Sequence, residues 1–149
     1  MTSNLGSQLI REETEKSGGH LSEQQLSTLR QQLFGMLKQT IRPEFLNRID
    51  ETIMFLPLTK EEIADVVRLQ LNAVSRMLEK QGLTLRVTDE AVAVIAEAGF
   101  DPEFGARPVK RTIQRDVLNL LSKRILAEEV SRDNPIIVDA HEGQLVFSN

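Results

Sequence analysis

The sequence predicts an α+β fold: a small domain with helices packed on one face of a short sheet of about three strands, behind a helical N-terminal stretch. Three observations predict it. Capping boxes at Ser22/Gln25 and Thr59/Glu62 each open a long amphipathic run. The runs at 83–87, 135–138 and 145–147 are short and apolar or alternating, as strands are. From residue 51 the order reads strand, helix, strand, helix, helix, strand, strand, which is not the strict alternation of a parallel α/β sheet.

Taken in order, the first 20 residues read as irregular. Residues 2–7 are polar and contain Gly6, and the stretch closes on Ser17-Gly18-Gly19. Leu21 and Leu26 then staple a helix that carries Leu29, Leu33, Phe34, Leu37 and Ile41 at helical spacing. Pro43 ends it or starts a short helix. Residues 52–58 have the length of a strand. Leu58 and Ile63 staple the next helix, whose apolar face is Ile63, Val66, Val67, Leu71, Val74 and Leu78; Gly82 stops it. Residues 83–87 alternate as a half-buried strand. Residues 89–98 form a short helix ending at Gly99, and residues 100–105 a loop. A long basic helix is expected from about 107 to 130, with Pro108 in its first turn. Residues 135–138 and 145–147 complete a hairpin that turns near Glu142-Gly143.

Composition narrows the function. The chain of 149 residues has room for one domain or slightly more. Its 18 basic against 22 acidic residues give −4, which argues against binding nucleic acid or an anionic membrane with the whole surface. Cysteine is absent and the only histidines, His20 and His141, are far apart, so no metal site is expected. No apolar run approaches a membrane span. All six aromatics are Phe, too few for base-stacking platforms.

Three local features carry possible chemistry. Residues 107–124 hold Arg107, Lys110, Arg111, Arg115, Lys123 and Arg124 against Asp116 alone. Arg107, Arg111 and Arg115 recur every four residues and would form one stripe. That stripe reads either as a solvated helix face or as an anion site, with Gly105 allowing close approach beside it. Arg42-Pro43-Glu44-Phe45-Leu46-Asn47-Arg48-Ile49-Asp50 holds two arginines at the edges of a short turn, suited either to ion pairs or to a phosphate of a neighbouring subunit. Asn4, before the Gly6 turn, reads as a turn former. No G-x-x-x-x-G-K-[ST] loop occurs. Ile136-Ile137-Val138-Asp139 is followed by Ala140 and reads as a sheet strand, not a metal-binding one.

In this order, the Asn4 segment, the 42–50 motif and Gly105-Ala106-Arg107-Pro108-Val109-Lys110-Arg111, with its Phe100-Asp101-Pro102 lead-in, closely resemble the second AAA+ module of the ClpB disaggregase chaperones. The resemblance covers essentially the whole chain. It implies that residues 1–51 are a remnant of a large AAA+ subdomain and residues 52–149 the small C-terminal subdomain. It implies catalytic roles for Asn4 (sensor 1) and Arg48 (arginine finger, acting in trans), and nucleotide-binding roles for Arg107 (sensor 2), Gly105 and Ala106.

For a longer parent, the resemblance implies ATP or ADP with Mg as cofactor, a homo-hexamer, unfolded or aggregated protein substrates, a DnaK-type co-chaperone system and a cytoplasmic location. It implies neither a nucleic-acid nor a membrane partner. The family's phosphate cradle is not in this sequence, so the segment alone is expected neither to hydrolyse ATP nor to hold nucleotide tightly. An apolar patch is expected at Leu5, Leu9, Ile10 and part of the 26–41 helix. Two other readings stay open: the end of a protease-associated Clp unfoldase, disfavoured because residues 8–41 hold no Ile-Gly-Leu/Phe-type docking tripeptide, and a non-catalytic module binding an acidic partner through residues 107–124.

Overall fold

The computed structural model describes residues 1–101 and 104–149; Pro102 of the Gly105 lead-in lies outside them. The chain divides into two compact units, Met1–Pro57 and Leu58–Asn149.

The first unit is helical. Helix α1 spans Ser7–Lys16, where an irregular stretch was expected. Side-chain bonds one turn apart support it, from Gln8 to Glu12 (3.0 Å) and from Lys16 to Glu13 (2.8 Å). Gly6 starts it at φ +73°, and a Cβ there would stand 2.0 Å from Leu33, so the turn is packed on the next helix. Leu5, Leu9 and Ile10 are consequently half-buried rather than exposed. The part expected on the 26–41 helix is there, at Phe34 and Met36, and further exposed apolar side chains are Phe45, Ile53, Phe55 and Leu56. Helix α2 spans Glu23–Thr40 with both bonds of the Ser22/Gln25 box in place. Helix α3 is one turn, Pro43–Leu46, with Pro43 where its missing N–H costs nothing. Residues 52–58 form no strand; among the described residues nothing pairs with them, and a strand without a partner leaves its backbone groups to solvent.

The second unit holds the larger core. Helix α4 spans Lys60–Glu79, opened by the Thr59/Glu62 box, and it buries Ile63, Val67, Leu71 and Leu78. Gly82, at φ +75°, closes it: Gly82 and Leu83 N–H groups donate to the Glu79 and Leu78 carbonyls, each at 3.0 Å. The sheet order is β1 (Leu85–Val87), β2 (Ile136–His141), β3 (Gln144–Ser148). β1 runs parallel to β2, with Leu85 opposite Ile136, and β3 returns antiparallel. The hairpin turns on Glu142 and Gly143, both at positive φ, as a two-residue turn that matches strand twist requires. Ile136 and Val138 are buried while Ile137 is exposed, so the helices cover one face of the sheet.

Between β1 and β2 the chain crosses over through α5 (Asp89–Gly99), α6 (Val109–Thr112), a π-helical segment (Ile113–Leu118) and α7 (Asn119–Leu126). The expected helix over 107–130 is therefore shorter and interrupted. Its core positions explain the interruption. Val109, Ile113, Val117 and Leu121 are all buried, and Ile125 packs beside them, at strict four-residue intervals. On an α-helix each such step overshoots a full turn by about 40°, so the stripe would drift off the core. The wider i→i+5 turns of the π segment hold it in line. Glu128, at φ +59°, ends the run.

Asp139 is a sheet residue. Its carboxylate accepts from the Thr88 hydroxyl (2.7 Å) and the Ala140 N–H (2.8 Å), tying β2 to the start of α5. The Thr88 bond, then the Ala140 bond, holds its pKa below the ordinary aspartate value. A depressed folded pKa adds stability above the unfolded value, near pH 4, that is lost as pH falls through the folded one. Asp139→Asn is expected to be less stable than the parent at pH 7, a gap that closes in acid as the pH falls through the folded pKa. Urea midpoints at neutral and acid pH check this; a gap that persists in acid refutes it.

Candidate functional site

The site grows from a tight turn between α5 and α6. Asp101 and Gly105 exchange backbone bonds, Asp101 N–H to the Gly105 carbonyl (2.9 Å) and Gly105 N–H to the Asp101 carbonyl (2.7 Å). The Asp101 carboxylate also accepts from the Phe104 N–H (2.9 Å). Gly105 sits at φ +63°, a conformation cheap only for glycine, and the space where its Cβ would stand is open. Ala106 is half-buried against the core, and its carbonyl receives the Val109 N–H (3.1 Å). Behind the turn, a Cβ on Gly99 would meet Val109 Cα and Cγ2 at 3.0 Å, so α5 and α6 are held in direct backbone approach.

Arg107 lies in this turn, ahead of α6 rather than on it as expected, with its N–H donating to the Phe104 carbonyl (3.2 Å). Its guanidinium carbon stands 5.7 Å from the centroid of the Phe104 ring. Phe104, Arg107, Pro108 and Arg111 line an open cleft of about 260 Å³. Among the described residues, neither Arg107 nor Arg111 has a carboxylate partner. Two permanent cations thus line one cleft, an arrangement suited to an anion with several oxygens.

The stripe stops there. Arg115 is taken by Asp116 through two bonds (2.5 and 2.7 Å), which lower the pKa of Asp116, and Arg124 pairs with Glu129. Sequence reasoning singled out Arg107, Gly105 and Ala106, and the structure gathers them in one turn. It gave no part to Phe104, whose signal is only its place three residues before Arg107, and treated Arg111 as part of a stripe rather than of a cleft.

The other two candidates lie in the first unit. Arg48 follows α3, its N–H bonded to the Phe45 carbonyl (3.1 Å). Its side chain is exposed and, among the described residues, has no ion pair. An open cleft of about 600 Å³ beside it is lined by Phe34, Lys38, Leu46 and Asn47 among others, but not by Arg48. Asn4 is exposed, and its carbonyl accepts the Ser7 N–H (3.1 Å), the turn-forming role expected of it. Among the described residues, no three His, Asp or Glu side chains stand as a metal-binding group. No helix among them is long and apolar enough to cross a membrane.

Over residues 58–138 the chain matches the model of the C-terminal, D2-small domain of ClpB protein. The chain belongs to the ClpB family. It is 52% identical over all 149 residues to the chaperone protein ClpB of Bacteroides thetaiotaomicron, and 40% identical over 149 residues to the chloroplastic ClpB3 of Arabidopsis thaliana. It spans 17% and 15% of those proteins. The solved Hsp104–ADP complex of S. cerevisiae is similar to the whole chain, at 32% identity and a TM-score of 0.80, over 25% of the Hsp104 chain. The α+β fold is thus that of the corresponding part of ClpB-family chaperones.

Proposed function

We propose that this chain is the nucleotide-sensing and subunit-contact part of an ATP-driven protein disaggregase. In that reading residues 1–51 belong to a large AAA+ subdomain and residues 52–149 are the small subdomain. The observation that carries it is the cleft where Arg107 and Arg111 stand, among the described residues, without carboxylate partners beside the Gly105 turn. Likeness to a protein solved with ADP supports a nucleotide as the anion.

Arg107 then binds phosphate oxygens of its own protomer, with Gly105 and Ala106 shaping the turn. Because the turn is fixed to α5, α6 and through them to the core, phosphate contact is transmitted to the small subdomain as a rigid body. Arg48 reaches the nucleotide of the adjacent protomer and stabilises charge on the transferring phosphoryl group. Asn4 orients the attacking water. ATP with Mg supplies the reaction's energy in the hexamer, where aggregated protein is the substrate and a DnaK-type system the collaborator.

The test is ADP affinity. In the full-length protein, Arg107→Ala is expected to weaken binding of a fluorescent ADP analogue about 10- to 100-fold, the worth of charge-assisted hydrogen bonds. An unchanged Kd refutes the assignment.

A further inference from the structure

The Phe104 ring is half exposed, at 51%, yet it forms a wall of the cleft directly under the Arg107 guanidinium. An exposed aromatic is not explained by the core, to which Phe104 does not belong. Its backbone, by contrast, is fixed at both ends: its N–H is held by the Asp101 carboxylate and its carbonyl by the Arg107 N–H. The main chain under the ring is therefore fixed relative to Arg107, and the ring's negative face attracts the guanidinium lying over it.

We propose that Phe104 is a positioning residue for Arg107: its ring holds the guanidinium over the cleft, so that the planar fork meets an incoming phosphate without first being ordered. A free arginine side chain populates many rotamers, and fixing one of them costs a ligand part of its affinity. The Phe104 platform removes part of that cost before the ligand arrives. Arg111, which lines the same cleft from α6, has no ring under its guanidinium among the described residues. The inference rests on Arg107 being the phosphate-binding residue.

Two measurements test it. In the 149-residue chain, the Arg107 Nε–Hε resonance is expected to carry an upfield ring-current shift that Phe104→Leu abolishes and Phe104→Tyr keeps. In the full-length protein, Phe104→Leu is expected to weaken ADP binding about two- to five-fold, the range of an exposed cation–π contact, with Phe104→Tyr restoring it. On an Arg107→Ala background Phe104→Leu is expected to add nothing.

Loss of ADP affinity in Arg107→Ala with no effect of Phe104→Leu overturns the positioning role alone. No effect of Arg107→Ala overturns the phosphate assignment beneath it. Equal losses for Phe104→Leu and Phe104→Tyr, with an unshifted Arg107 resonance, also overturn the proposal, since they mark a turn that has merely been deformed.

Discussion

Arg48→Ala in the full-length protein is expected to lower ATP turnover by the second module about 10³- to 10⁵-fold, the range an arginine finger supplies in phosphoryl transfer. The expectation follows from what holds Arg48 and what does not. Its backbone is fixed by the bond to the Phe45 carbonyl and by the Ile49 N–H to Leu46 bond (3.1 Å) beside it, at the end of a turn that Pro43 pre-sets. Its side chain is exposed with no ion pair among the described residues, so alanine removes little from the fold. Turnover should collapse while the melting temperature stays put. Lysine should not rescue it, because a point charge cannot replace a planar fork on two oxygens. A finger acts on its neighbour's nucleotide, so Arg48→Ala subunits mixed into otherwise intact hexamers should depress turnover by more than their fraction of the subunits. Retained turnover in hexamers made only of Arg48→Ala subunits refutes the role.

The largest stability effect is expected in the sheet. Ile136 has no exposed surface, lies on the central strand, faces Leu85 in register and belongs to the main core cluster. Ile136→Ala should cost about 2–5 kcal/mol, from lost transfer energy and the cavity left behind. For a unit the size of Leu58–Asn149 that lowers the melting temperature by roughly 10–30 °C. Ile137, one residue on, is 39% exposed on the open face. Ile137→Ala should shift the melt far less. Thermal unfolding followed by circular dichroism checks the pair; equal shifts would contradict the one-sided burial of β2.

Local rules are legible wherever they act through neighbours in sequence. Both capping boxes form with the predicted partners, and the hairpin turns at Glu142-Gly143, because each needs only four or so consecutive residues. Helix α1 escapes such rules because its residues look polar and glycine-flanked, whereas its support comes from side-chain pairs such as Gln8 with Glu12 and from the seat of Gly6 on Leu33. The strand expected at 52–58 fails for the opposite reason: its residues suit a strand, but pairing is a property of the partner. The π segment is hidden in plain view. The four-residue repeat from Val109 to Leu121 fits a helix well enough to suggest one, and only its persistence over several steps betrays the wider turn.

The candidate site divides in the same way. Gly105, Ala106 and Arg107 are consecutive, so one motif finds all three. That Arg111 has no ion pair among the described residues while Arg115 is neutralised is not legible. Asp116 is the next residue to Arg115, and neighbours on a regular helix do not face each other. Their two-pronged bond here belongs to the π segment.

The parallel pairing of β1 with β2 also has a kinetic meaning. The Thr88 hydroxyl and the Asp139 carboxylate that meet beside it are 51 residues apart, and the Gly105 turn and both cleft arginines lie inside the loop they close. Closing so long a loop costs chain entropy before any contact offsets it. During synthesis, α4 and α5 can form as soon as they emerge. The cleft is expected to gain its final seat on the core only after β2, well downstream, has docked against β1. The cleft is therefore expected to be among the last parts of this unit to settle, and under the proposed function a nascent or partly unfolded chain would not yet respond to nucleotide.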